Sequence, residues 1–469
     1  MRQLTPTSLS LGLSFLLLLS LSACQQVKFF SSRPAPLPQD PFIEVYFNHS
    51  EAAEYLEPYR QQKRSGDDLE QKIVDTIATA KSTIDVAVQE LRLPKIAQAL
   101  AERQQAGVKV RVILENTYHL SLGGISEAAI AQMPERERSR YEELRKLIDR
   151  DRDGKLSPAE INQGDALVIL QNAGIPILDD TADGSAGSGL MHHKFVIVDG
   201  SKLIVTSANF TTSDIHGDFR NSNSRGNANN LLKIDSFELA NIFAAEFNLM
   251  WGDRPGGLKN SKFGLKKPFR PAQSINLLDS NVTIQFSPTS AKQPWEASSN
   301  GLIGKALNNA SQSVNLALFV FSEQQLGNIL ETNHQKGVQI KALIDPDFAY
   351  RPYSEALDMM GVALSTNCKY EPQNNPWQSP INTVGVPQLP KGDLLHHKFA
   401  VIDGQTVITG SHNWSTAANK NNDETLLIIQ NSRVAAHFER EFARLYQNAQ
   451  LGIPPSLQEK IEDQKKTCR

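Results

Sequence analysis

Two histidines, two lysines and two asparagines recur at one fixed spacing in this 469-residue chain. From His192 the sequence runs HHKFVIVDGSKLIVTSAN to Asn209, and from His396 it runs HHKFAVIDGQTVITGSHN to Asn413. In each copy a lysine follows the histidine by two positions (Lys194, Lys398). An aspartate stands five further on (Asp199, Asp403), and a serine two before the final asparagine (Ser207, Ser411). An ammonium, an imidazole and an amide gathered at one point suit a phosphate group, because the first and last can donate hydrogen bonds to its oxygens. The imidazole can attack phosphorus or hand a proton to the departing oxygen. Two such sets suit a phosphodiester, which needs a nucleophile on one side and an acid on the other.

The local periodicity says which elements hold these groups. A His-x-Lys pair opening a β-strand points both side chains from one face, which turns the neighbouring His193 and His397 to the opposite face, where they pack. Residues 195–198 and 399–402 are continuous apolar runs, as in strands buried on both sides. Asp-Gly at 199 and 403 is a hairpin turn signal, and 203–205 and 407–409 read as the returning strands. The hairpins bring Ser207 with Asn209, and Ser411 with Asn413, back beside the histidines. Asp199 and Asp403 are candidates for the site by motif; the turn reading gives them a structural job instead.

The doubled H-x-K-x4-D followed by S-x-N resembles the phospholipase D superfamily, over roughly residues 42–446. The resemblance implies an α/β fold with two homologous phospholipase D-like α/β/α sandwich lobes forming an intramolecular pseudo-dimer. No second chain is then needed to complete the site, and a monomer is expected. It further implies paired-histidine catalysis through a phosphohistidine, with no metal in the chemistry. The substrate stays open, because relatives cleave phospholipids, nucleic acids or neither. Glu424 lies where relatives keep a carboxylate that orients a catalytic histidine; aligning Leu426 with Leu231 puts Asn229 opposite it. Thr206 also stands where the second copy has Gly410, and the segment after Asn209 is nine residues longer, carrying His216 and Asp218. The expectation is that Glu424 supports His192 as nucleophile across the lobes, with His396 as acid. Lys194, Lys398, Asn209 and Asn413 then hold the equatorial oxygens, and Ser207 and Ser411 assist.

The repeat extends beyond the motifs. Residues 80–88 answer to 310–318, and 107–110 to 337–340, both at an offset of 230. This divides the chain into a first lobe (42–255), a basic linker (256–275) read as solvated, a second lobe (276–450) and a C-terminal tail (451–469). Each lobe ends on the same helical pattern, Phe243-x-x-Glu246-Phe247 and Phe438-x-x-Glu441-Phe442, read as packing. Between Gly107 and Gly174 lie 67 positions, against 24 between Gly337 and Gly361, so the first lobe carries an insertion, placed at 135–170. Within it, residues 149–160 resemble an EF-hand calcium loop. Asp149, Asp151 and Asp153 occupy positions 1, 3 and 5, Gly154 the sharp turn, and Lys155 offers a backbone carbonyl. Ser157 acts through a water, and Glu160 is the bidentate ligand at position 12. The expected cofactor is Ca2+, structural or regulatory and outside the chemistry.

Composition narrows the remaining choices. Hydrophobic residues make up 40% of the chain and the net charge is −3, so no global basic field marks it for nucleic acid. Residues 1–23, with Arg2, an apolar stretch over 11–21 and small residues before Cys24, resemble a lipoprotein signal. The expected location is outside the cytoplasm, lipid-anchored to a bacterial membrane at Cys24. An ordinary secretory signal with an incidental Cys24 is the alternative. Residues 24–41, with Pro34, Pro36, Pro38 and Pro41, form an extended spacer. Cys368 and Cys468 are either a disulfide or two free thiols. The loops over 183–189 and 370–391 either shape substrate access or merely connect. The expected function is a phosphodiesterase of the phospholipase D type, releasing phosphatidic acid and a headgroup alcohol at a membrane surface. Its rivals are a nonspecific endonuclease of the same superfamily, with nucleic acid as the partner, and a calcium-binding surface module without catalysis.

Overall fold

The computed structural model describes residues 33–121, 125–185, 189–254 and 257–468. The leader, Cys24 and much of the spacer fall outside the described residues, as does part of the 183–189 loop. Residues 33–36 belong to a separate N-terminal unit, and residues from Leu37 onward form one compact body.

Two mixed sheets carry the fold. The first has seven strands, in the order Ile43–Phe47, Asn230–Asp235, Lys202–Thr206, Lys194–Val198, Thr83–Val88, Lys109–Leu114, Ile177–Asp179. Thr83–Val88 runs parallel to Lys109–Leu114 and antiparallel to the motif strand Lys194–Val198. The second sheet repeats this arrangement. Ser313–Leu318 lies parallel to Gln339–Ile344 and antiparallel to the motif strand Lys398–Ile402, which pairs with Thr406–Gly410.

Side-chain alternation along the motif strands assigns the layers. Phe195 and Ile197 face one core while Val196 and Val198 face another; Phe399 and Val401 part from Ala400 and Ile402 in the same way. The outer cores take helices Leu69–Ala78 and Pro94–Gln105 in the first lobe, and Ser299–Asn308 and Gln324–Gln335 in the second. The inner core is common to both lobes. There helices Phe237–Trp251 and Ser432–Gln447 bury Phe243, Phe247, Phe438 and Phe442 among residues of both sheets. Truncating one of these phenylalanines to alanine removes a side chain that both lobes share, at a cost of about 3–5 kcal/mol.

Two stretches differ from their reading in the sequence. The linker is not simply solvated: Lys267 is buried against Glu246 and lies 2.7 Å from Asp423, while Arg270 ion-pairs with Glu246 at 2.8 Å. Glu246 is itself 1% exposed, and a buried carboxylate needs cations beside it. The linker's last residues also open a strand, Gln273–Leu277, paired with Ser280–Phe286. The C-terminal tail is a helix, Pro455–Thr467, preceded by Gln450–Leu451, which adds a strand to the second sheet. Cys368 and Cys468 are joined in a disulfide, Cα–Cα 5.2 Å, which fastens that helix to the second lobe. Within the insertion at 135–170 lie helices Glu135–Ile148 and Pro158–Gly164, preceded by Glu127–Gln132. Among the described residues, no helix is long and apolar enough to cross a membrane.

Candidate active site

The two motif hairpins end at one cleft. His192, Asn209, His396 and Asn413 line a cavity of about 630 Å³, together with Phe319 and Asp214. The lobes are stitched along its edge: His192 N donates to Asp423 O at 3.0 Å, and Ala228 N donates to Leu394 O at 2.8 Å. Lys194 and Lys398 lie buried behind the histidines. Lys194 Nζ donates to His192 O at 2.9 Å, and Lys398 Nζ donates to His396 O at 2.5 Å while sitting 4.9 Å from the Phe319 ring. Neither ammonium has a carboxylate within ion-pairing distance among the described residues. Burial pulls Lys194 down to about 8 and, with the repulsion of Lys194, holds Lys398 well below the usual lysine range. Two buried cations without a direct counter-ion make a strong seat for an anion. Asn209 Oδ1 and Asn413 Oδ1 are buried and have no hydrogen-bond partner.

Each catalytic-candidate imidazole is held by the opposite lobe. His192 Nδ1 donates to Glu424 Oε2 at 2.7 Å, and Glu424 also accepts from Ser411 Oγ at 2.6 Å and from Asn422 Nδ2 at 3.2 Å. In the mirror position His396 Nδ1 donates to Asn229 Oδ1 at 3.0 Å, which also accepts from Ser207 Oγ at 2.7 Å. The serines accept in turn from Thr425 N and Asn230 N, both at 3.0 Å, so their hydroxyls orient the orienting residue. With Nδ1–H committed, Nε2 is the free nitrogen of each ring. Although burial works against it, the His192 contact holds the Glu424 carboxyl down at about 2. Burial pushes His192 below the ordinary imidazole value despite Glu424. It pushes His396 well below, with Lys398 and Lys194 adding to the effect.

Asp199 and Asp403 are not in the cleft and are removed from the list of reacting groups. They lie at the far ends of the motif strands, with positive φ of 50° and 53°. Asp199 accepts from the backbone N–H of Lys81, Ser82 and Thr83, and Asp403 from those of Ser311, Gln312 and Ser313. Each carboxylate thus locks its hairpin turn to the start of the neighbouring strand. Thr206 fits its place: its hydroxyl donates to Asn230 O at 2.5 Å. At Gly410, by contrast, φ is +132° and a Cβ would meet Thr425 O at 2.2 Å.

Three acids stand out that the sequence reading did not use. His193 Nε2 lies 3.5 Å from Glu246 and His397 Nε2 lies 3.1 Å from Glu441, so the inward-facing second histidines are tied to the helices that end each lobe. The recurrence of that glutamate in both Phe-x-x-Glu-Phe patterns was the available signal. Asp214 is the third, with Oδ1 3.7 Å from His396 Nδ1.

In the insertion, ligand oxygens of Asp149, Asp151 and Asp153 lie within 4.8 Å of one another, and Asp149 Oδ1 is buried without a hydrogen-bond partner. Gly154 N donates to Asp149 Oδ2 at 3.0 Å and Lys155 N to Asp153 Oδ1 at 2.7 Å. Glu160 is not brought into this group. Its carboxylate accepts from Arg150 N at 2.8 Å and from Ser157 N at 2.9 Å, closing a capping box on the next helix. The preceding helix, Glu135–Ile148, supplies Ser139, Arg140 and Glu143 to the wall of the cleft.

Residues 73–251 and 303–446 match the family described as cardiolipin synthase, PLD-like domain. The mitochondrial cardiolipin hydrolase of Mus musculus is 32% identical over 156 residues, 33% of this chain and 61% of the relative. A phospholipase D of Rickettsia typhi is 26% identical over 170 residues, 36% of this chain and 70% of the relative. The chain spans 49 to 61% of the length of the three mammalian cardiolipin hydrolases it matches. Among solved structures, the phosphatidylserine synthase of Haemophilus influenzae aligns over 93% of this chain and 95% of its own. The TM-score is 0.54 and the identity 12%, a likeness of fold.

Proposed function

The chain belongs to the cardiolipin synthase, PLD-like domain family, and from that premise we propose that it hydrolyses phospholipids to phosphatidic acid and a headgroup alcohol. The observation that carries the reading is the single cleft lined by His192 and His396, with two buried ammoniums behind them. The names of the mouse and Rickettsia relatives favour a lipid over a nucleic acid.

In the first step His192 Nε2 attacks phosphorus and the bond to the headgroup oxygen breaks. His396 gives its Nε2 proton to that oxygen. In the second step a water loses a proton to His396 and attacks the phosphohistidine, which releases phosphatidic acid and restores His192. Glu424 keeps its proton partner on Nδ1 throughout and stabilises the positive ring as the P–N bond forms. Lys194, Lys398, Asn209 and Asn413 hold the non-bridging oxygens, where charge builds in the transition state.

We infer two accompaniments. The first is an exported protein held to a membrane through lipid at Cys24, which the Cys368–Cys468 disulfide supports as a mark of an oxidising compartment. The second is a calcium ion on Asp149, Asp151 and Asp153 with the Lys155 carbonyl, Ser157 acting through water and Glu160 exchanging its capping-box contacts for the ion. The converging aspartates and the unpartnered Asp149 oxygen support it. The ion supplies rigidity there and takes no step in the reaction.

The test is to incubate the soluble body with phospholipid vesicles containing cardiolipin or phosphatidylcholine, and separately with single-stranded DNA, each with and without calcium. Phosphatidic acid or lysed headgroup supports the reading, and DNA fragments alone would assign the nuclease. Absence of both, under conditions where the protein is folded, leaves a binding module.

A further inference from the structure

An acid must carry a proton, and the surroundings of His396 oppose one. Lys398 stands beside it, Lys194 and His192 lie across the cleft, and His397 is next along the chain. Phe319 covers one side at a centroid distance of 5.0 Å. Asp345 lies toward Lys398, its carboxylate accepting from Leu395 N at 2.8 Å. The group facing Nδ1 is the neutral amide of Asn229, which fixes the ring but brings no charge. Among the described residues, Asp214 is the acid within 4 Å of this imidazole, at 3.7 Å.

Asp214 sits where the two lobes diverge. Its helix, Thr212–Ile215, starts at an N-cap threonine, Thr211, as Thr416–Lys420 starts at Ser415 in the other lobe. The caps are 204 positions apart, as are the motif histidines, so Asp214 corresponds to Ala418. The lobe whose orienting residue is an amide therefore has an added carboxylate, and the lobe with Glu424 has a methyl group there. The side chain is built in: Asp214 is 4% exposed, Oδ2 accepts from Asn209 N at 2.8 Å, and Oδ1 accepts from Asn227 Nδ2 at 2.6 Å. The Asp214 carbonyl accepts from Asn229 Nδ2 at 2.9 Å, so amide and carboxylate are held as one unit.

Resting on His396 as the general acid, we propose that Asp214 is a positioning residue that supplies the negative charge for the His396 imidazolium in place of the carboxylate missing at Asn229. The two tasks that Glu424 performs for His192 are divided: Asn229 orients the ring and Asp214 steadies its charge. The proton passes from His396 Nε2 to the leaving oxygen.

The test compares the phospholipid, whose alkoxide must be protonated, with bis(4-nitrophenyl) phosphate, whose phenolate leaves without a proton. Asp214→Asn is expected to slow lipid cleavage about tenfold or more. It should leave the first-turnover release of nitrophenolate within about twofold, and move the alkaline limb of kcat/KM for the lipid to lower pH. Adding Asn229→Asp to Asp214→Asn should return the limb and the lipid rate toward the parent. Equal loss on both substrates, or a limb that stays in place, assigns Asp214 to structure alone and overturns the proposal. Retention of nitrophenolate release by His192→Ala would instead sink the paired-histidine reading beneath it.

Discussion

The two halves of the cleft share a backbone and differ in the group that each histidine faces. His192 faces Glu424 and His396 faces Asn229, yet the serine behind each, the amide donor to that serine and the lysine beneath the ring are matched pair by pair. A scaffold that repeats can thus assign two different proton roles by exchanging a carboxylate for an amide. The ring opposite the carboxylate can tolerate the positive charge that a P–N bond creates. The ring opposite the amide gives its proton up more readily, which suits a donor.

The largest expected effects break the comparison outright. His192→Ala should lower turnover by roughly 10³-fold or more and abolish acid-labile phosphoryl label on the protein, read by quench and peptide sequencing. His396→Ala should lower lipid turnover by about 10² to 10⁴ yet keep first-turnover nitrophenolate release, and label appearing at His396 would reverse the roles.

Next comes the orienting pair. Glu424→Gln makes the halves alike and should cost about 10²-fold in kcat for both substrate types, since it weakens the nucleophile. Asn229→Asp makes them alike in the other sense and should show mainly in the pH profile. The sign follows from the shift: His396 is pushed below the usual imidazole value of about 6.5, so its proton is lost as pH rises through a lower value. The alkaline limb of kcat/KM should therefore lie below pH 6.5 in the parent and move upward in Asn229→Asp. A limb that does not move would argue that a different group titrates. The smallest effect on chemistry is that of calcium. An ion at about 100 times its Kd should add about 2.7 kcal/mol of stability, seen as a raised unfolding midpoint that Asp149→Asn removes, without changing which histidine is labelled.

How far the molecule could be read from its sequence depended on whether a feature leaves a local mark. The motif strands did, because an apolar run without alternation means burial on both faces, and the 230-residue offset carried the lobe architecture. Asn229 opposite Glu424 could be aligned because strands Asn230–Asp235 and Thr425–Gln430 begin in register beside them. Lys267 and Arg270 could not be placed, since a run of cations without acids looks the same whether solvated or folded over a buried Glu246. Asp214 was hidden for a related reason: its repeat partner is Ala418, so the doubled motif does not mark it, and only its place 3.7 Å from His396 Nδ1 does. Glu160 matched a ligand position and a helix-capping position at once, and the chain alone does not choose between them.

The lobes are joined at the mouth of the cleft by main chain as well as by side chains. Asp423 N donates to Leu190 O and its carbonyl accepts from His192 N, a β-bridge between Met191 and Asp423, while Ala228 and Leu394 meet on the other side. Such a seam means that parting the halves at the mouth would break main-chain hydrogen bonds as well as side-chain contacts, so the cleft's edge is held by the backbone itself.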